Sequence, residues 1–93
     1  MELSIYNEIR LQLDHNRVDE ALVRLDALRA ADTETDDRWF YLRGNAFRKK
    51  GEWQEAINCY LQATAINPDS PARVACEMLN DIMGFYHKDL YNP

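Results

Sequence analysis

The chain has 93 residues, enough for one small domain, and a content of 46% hydrophobic residues is typical of a folded globular protein rather than a disordered one. Eleven basic against sixteen acidic residues leave a net charge of −5, which argues against nucleic acid as a bulk electrostatic partner. No stretch approaches the ~20 continuous apolar residues of a membrane span. The chain start carries no basic-then-apolar signal, so we expect a soluble, cytoplasmic protein.

The predicted elements are all helices. Apolar residues recur at helical spacing throughout, and no segment shows the strict alternation of a half-buried strand. Asn16 and Gly51 follow two such runs in the position of a left-handed cap, and Pro68 follows a third. Ser70 and Pro71 have the pattern of a helix start, with serine as the N-cap. The sequence therefore predicts an all-α chain with helices at about residues 2–15, 18–31, 37–50, 53–66 and 71–88.

The helices repeat along the chain. Aligning Asn16 with Gly51, which stand 35 positions apart, superimposes the helices that flank them. This offset indicates two helix–turn–helix repeats, at about residues 2–35 and 37–70, followed by a C-terminal helix at 71–88. We expect these parts to form a single domain spanning residues 1–93.

The second repeat carries a family resemblance. Its residues 38–70 resemble the tetratricopeptide spacing W-x₂-L-G-x₂-Y…A-x₃-F…P, at Phe40, Arg43, Gly44, Phe47, Ala56, Tyr60 and Pro68. The first repeat is a degenerate copy, in which Ile9 replaces the small glycine and Thr33 the proline. The whole chain is similar to small stand-alone bacterial members of this family that end in a Phe-Tyr-x-Lys-Asp-x-Tyr-Asn tail. The resemblance implies a short α-α superhelix.

Two repeats and one helix are close to the minimum that a stacked array needs. We therefore expect four aromatic side chains to fill the core rather than to stack on nucleic-acid bases: Phe40, Phe47, Trp53 and Tyr60. Small residues at Gly44 and Ala56 are expected where two helices cross closely.

The sequence contains no recognisable catalytic or metal-binding pattern. Its serines lack a nucleophile context, its glycines are isolated, and its acidic pairs stand at helix starts, where they favour the helix dipole. His15 and His87 are far from ligand spacing, and Cys59 and Cys76 each lie in an apolar helical pattern. We expect reduced thiols, no metal, no cofactor and no enzymatic activity.

The resemblance implies a function, because tetratricopeptide arrays hold peptide segments in a groove lined by the first helix of each repeat. By position, the groove residues are Tyr6, Arg10, Arg38, Tyr41, Asn45 and Arg48. Asn45 matches one member of the clamp that chaperone-binding relatives use on a C-terminal carboxylate. The other clamp positions do not match, so we do not predict a chaperone co-factor.

Residues 38–50 hold five basic residues and no acidic one. Matching to the helix dipole explains Lys49 and Lys50 at the end of this helix, but explains neither Arg38 nor Arg48. The other interpretation is a basic groove floor for an acidic peptide or a free carboxylate.

The C-terminal helix has only one narrow polar stripe and is apolar elsewhere. It either folds over the end of the groove or presents an association surface, whose candidate residues are Met78, Leu79, Ile82, Met83, Phe85 and Tyr86. The leading hypothesis is thus a non-catalytic module that binds a protein or peptide partner in the groove, with no nucleic acid and no membrane. The alternative is a structural module that forms a homodimer through this helix.

Overall fold

The computed structural model describes the backbone of residues 2–31 and 36–86, and the side chains of residues 5–31 and 36–81. Five helices and no strand occur in these ranges: α1 (Glu2–Asp14), α2 (Val18–Ala30), α3 (Asp37–Lys50), α4 (Trp53–Ile66) and α5 (Ala72–Tyr86). The predicted all-α class is confirmed. The two helices of the second hairpin have the predicted limits, α1 and α2 each end one residue earlier, and α5 begins one residue later. The predicted end of α5 at residue 88 lies outside the described residues.

The hairpin turns use the residues that the sequence indicated. Asn16 has φ 61° and Gly51 has φ 80°, so both adopt the left-handed conformation that ends a helix. At the start of α5, the Ser70 hydroxyl accepts a hydrogen bond from the backbone N–H of Ala72 at 3.1 Å. The predicted serine N-cap is therefore confirmed.

The helices pack as two hairpins and a closing helix. Helix α1 packs against α2, and α3 packs most extensively against α4. Helix α3 also contacts both α1 and α2, so that the second hairpin stacks on the first, while α5 packs mainly on α4. This is the stacked α-α arrangement that the resemblance implies.

The first core cluster joins the two hairpins, and Trp39 lies at its centre with 1% of its surface exposed. The indole N–H of Trp39 donates to the backbone carbonyl of Leu25 at 2.8 Å, which ties α3 to α2. Around them pack Ile9, Leu13, Ala21, Leu42 and Ala46. Trp39 is not among the predicted core residues, because the family spacing places its aromatic residue at the next position, Phe40.

The second core cluster joins α4 to α5 and contains Tyr60, which is fully buried. The Tyr60 ring lies directly on Gly44: a Cβ atom at Gly44 would stand 2.5 Å from Tyr60 Cε1. The small residue expected at position 44 is therefore required by this contact.

One of the four predicted core aromatics is not in the core. Trp53 is 37% exposed, whereas Tyr60 is buried, and Phe40 and Phe47 are half-buried against the second cluster. Trp53 is the first residue of α4, and the buried face of that helix begins one turn later, at Ala56. The prediction for Trp53 was wrong because it counted aromatic residues without their positions on the helix.

Candidate functional site

The predicted groove residues of α3 lie on one side of that helix. Arg38, Tyr41, Asn45 and Arg48 follow one another at spacings of three, four and three residues, and the first three are half-buried while Arg48 is exposed. We call the surface formed by these four residues, together with Tyr6 and Arg10 of α1, the groove face.

The α1 and α3 residues of the groove face come into contact at one end of this surface. The guanidinium of Arg38 lies 4.7 Å from the centre of the Tyr6 ring, which is a cation–π contact between α3 and α1. Tyr6 is half-buried and Arg10 is exposed. The structure therefore brings Tyr6 and Arg38 together and leaves Arg10 at the surface of α1.

Tyr60 of α4 contacts the two residues in the middle of the groove face, Tyr41 and Asn45. The Tyr60 hydroxyl donates to Oδ1 of Asn45 at 2.5 Å, and the Tyr60 ring lies 6.1 Å from that of Tyr41. Burial raises the pKa of Tyr60 to about 12, against the opposing charge of Arg48, so the phenol keeps its proton at neutral pH. The prediction of Tyr60 as a core residue is confirmed, whereas its hydrogen bond to Asn45 is not indicated by the sequence.

Arg38 has a structural role that the sequence reasoning did not find. Its Nη2 lies 2.7 Å from Oδ2 of Asp36, and its backbone N–H donates to Oδ1 of the same carboxylate, which is the N-cap of α3. Partial burial alone would raise the pKa of Asp36, but the hydrogen bonds and charge of Arg38 hold it below the ordinary value. Arg38 therefore brings a paired rather than an open charge to the groove face.

Two other basic side chains of α3 turn toward the first hairpin. Arg43 pairs with Asp26 at 2.9 Å, and Lys50 lies 3.7 Å from Asp19. Arg48 and Lys49, by contrast, make no ion pair with any described residue. The basic run at 38–50 thus serves largely to pair with acidic groups, and Arg48 is the cation of α3 that remains open on the groove face.

Comparison with known proteins supports the same fold. Residues 44–72 match a family model described as TPR repeat. The solution NMR structure of the Bacteroides fragilis protein BF1650 superimposes with a TM-score of 0.82 and 40% sequence identity, covering 94% of this chain and 88% of that one. The chain belongs to the tetratricopeptide repeat family. No curated protein matches it.

Tetratricopeptide repeats generally mediate protein–protein interaction and are typically non-catalytic. Among the side chains that the structure describes, no group of three or more His, Cys, Asp or Glu residues could hold a metal ion. Cys59 and Cys76 are buried, and burial raises the pKa of both thiols, which lowers their reactivity. Every helix within the described ranges is too short or too polar to span a lipid bilayer.

The candidate association surface on α5 needs a correction. Leu79 is 1% exposed and packs with Ala72 and Cys76 in the second core, so it cannot belong to a surface. Met78, its neighbour, is 56% exposed, as is Val74 one turn earlier. The side chains of Ile82, Met83, Phe85 and Tyr86 lie outside the described residues. The homodimer alternative therefore stays a prediction from the sequence, without Leu79.

Two small cavities lie elsewhere on the first hairpin. One, of about 190 Å³, is lined by Ile5, Arg24, Ala27 and Leu28. The other, of about 220 Å³, is lined by Leu11, Gln12, His15 and Arg17. Neither includes a residue of the groove face.

Proposed function

We propose that this tetratricopeptide protein is a non-catalytic interaction module that binds a peptide segment of a partner protein on the groove face. The observation that carries the proposal is Arg48, an exposed cation without an ion pair to any described residue, on the same side of α3 as the half-buried Tyr41 and Asn45. Three other basic side chains of α3, Arg38, Arg43 and Lys50, are already paired with acidic groups. Arg48 is therefore the cation of α3 that is available to a ligand on the groove face.

The chemistry of these side chains favours an acidic ligand. A guanidinium forms charge-assisted hydrogen bonds with a carboxylate, and the neighbouring tyrosine rings offer apolar contact at little cost in conformational entropy. Arg10, exposed on α1, adds a second cation to the groove face. A carboxylate of the partner, from an acidic side chain or a free C-terminus, is the group that these residues would bind. The contact is solvent-exposed, so we expect weak binding that higher salt weakens further.

The experiment is a charge reversal at one position. In the Arg48→Glu variant, the affinity for an acidic peptide should fall about tenfold, because an attractive charge becomes repulsive at the ligand carboxylate. Binding is measured by fluorescence anisotropy with a labelled peptide of alternating leucine and glutamate.

Arg17→Glu is the matched control, because it makes the same change of net charge at an exposed residue away from the groove face. If both variants lost the same affinity for the acidic peptide, only the net charge of the protein would matter, and the proposal would be contradicted. The proposal would also be contradicted if the wild-type protein bound the peptide equally well with glutamine in place of glutamate. The expected cytoplasmic location stays a prediction from the composition.

A further inference from the structure

Tyr60 belongs to α4 and is fully buried, yet its hydroxyl reaches the middle of the groove face. The ring is fixed by the close contact with Gly44, where there is no room for even a Cβ atom. From that position the hydroxyl donates to Oδ1 of Asn45. The hydrogen bond therefore connects a rigid core side chain to a half-buried side chain of the groove face.

This hydrogen bond determines which end of the Asn45 amide is available. A side-chain amide has an accepting oxygen and a donating NH₂ group, and it presents one or the other when it rotates. A neutral phenol has a single hydrogen to donate. If the amide turned its NH₂ group to Tyr60, the phenolic hydrogen would lose its acceptor in a buried place, which is unfavourable. The oxygen of Asn45 therefore stays toward Tyr60, and the NH₂ group stays available.

We infer that Tyr60 is a positioning residue, which holds the Asn45 amide with its NH₂ group toward the groove face and makes the centre of that face a hydrogen-bond donor. The inference rests on the proposed function for its ligand, which must present an acceptor, a carboxylate or a carbonyl oxygen, at this point. With Arg48 one turn further along α3, the groove face then offers two donors side by side. A segment that presents donors there is disfavoured, because donor would meet donor.

The positioning can be tested without any ligand. The Tyr60→Phe variant removes one oxygen atom and keeps the ring that packs on Gly44. The side-chain ¹⁵N order parameter of Asn45 should fall from a rigid value of about 0.8 to below about 0.6, because the amide can then rotate. The backbone spectrum should keep its dispersion, and the circular dichroism spectrum should keep its helical form. An unchanged order parameter would overturn the inference, whether or not any peptide binds.

The effect on binding is tested by a double-mutant cycle with the labelled leucine–glutamate peptide. Tyr60→Phe should weaken binding roughly three- to tenfold in the wild-type chain and leave it unchanged in an Asn45→Ala chain, because the hydroxyl then has no Asn45 amide to orient and the ring contact with Tyr41 is kept in both chains. An equal loss in both chains would assign Tyr60 a general structural role and overturn the inference. Amidating the peptide C-terminus and, separately, replacing its glutamates by glutamine distinguishes a terminal carboxylate from a side-chain carboxylate.

The two proposals fail differently. If the wild-type chain binds none of these peptides, the proposed function fails, and the order parameter of Asn45 still decides the role of Tyr60. If the wild-type chain binds the acidic peptide and the cycle shows no coupling between Tyr60 and Asn45, the proposed function stands and the positioning role is wrong.

Discussion

Gly44 and Gly51 stand at the two places in the second hairpin that need glycine, and the physical reason differs between them. Gly44 is buried under the Tyr60 ring, where an added Cβ atom would lie 2.5 Å from Cε1 and 2.7 Å from Cδ1. Gly51 has open space around it and φ 80°, a conformation that side chains with a Cβ atom rarely adopt. Glycine is required at position 44 by the packing of the Tyr60 ring and at position 51 by the left-handed backbone conformation.

Gly44→Ala should lower the free energy of unfolding by about 1–3 kcal/mol, because the buried ring has no room to withdraw. Gly51→Ala should cost about 1 kcal/mol through the left-handed backbone alone. Urea unfolding separates the causes in a Tyr60→Leu background, where the penalty at Gly44 should shrink and the penalty at Gly51 should not change. The same penalty at Gly44 in both backgrounds would show that the ring contact is not its cause.

At the scale of elements, the two hairpins are held together by Trp39. Its indole N–H bonds to the Leu25 carbonyl of α2, and the guanidinium groups of Arg29 and Arg43 lie 5.1 Å and 5.3 Å from the ring centre. Asp26 of α2 pairs with Arg43 on the same side. The contact thus combines a buried ring, a buried hydrogen bond and a partly exposed ion pair, and the first two contribute most of its free energy.

Trp39→Phe should lower the free energy of unfolding by about 2–4 kcal/mol, since it leaves a cavity and removes the bond to Leu25. Trp53→Phe is the matched control: the same substitution at a partly exposed residue should cost no more than about 0.5 kcal/mol. Circular dichroism at 222 nm in urea measures both without relying on tryptophan fluorescence. If both variants lost the same stability, Trp39 would not be the link between the hairpins.

At the scale of the whole molecule, α5 closes the second core with one of its sides. Leu79 packs into that core, and Met78 beside it and Val74 one turn earlier are more than half exposed. Helix α5 therefore completes the stack on α4 and leaves part of its apolar surface uncovered.

Substituting lysine at neighbouring positions tests this arrangement. Leu79→Lys should lower the free energy of unfolding by about 3 kcal/mol or more, because it removes a buried side chain and places a charge in the core. Met78→Lys should stay within about 0.5 kcal/mol of the wild type. Thermal unfolding at several protein concentrations also reports on the homodimer alternative. A large loss at Met78 that grows with concentration would favour a dimer through this surface.

The sequence by itself determined the local structure of this protein. The limits of α3 and α4, the left-handed turns at Asn16 and Gly51, and the N-cap at Ser70 depend on a few neighbouring residues and on their backbone preferences. The repeat spacing likewise gave the fold class and the side of α3 on which Tyr41, Asn45 and Arg48 lie, because helical periodicity fixes which residues share a face.

Only the tertiary structure decided which residues of each helix are buried and which side chains pair with one another. The rotation of one helix against another decides which residues are buried. It buries Trp39 and leaves Trp53 partly exposed, and it buries Leu79 and leaves Met78 at the surface. The hydrogen bond from Tyr60 to Asn45 and the ion pair of Arg43 with Asp26 join residues 15 and 17 positions apart. Such partners follow from the packing of the helices in three dimensions, which a one-dimensional periodicity does not contain.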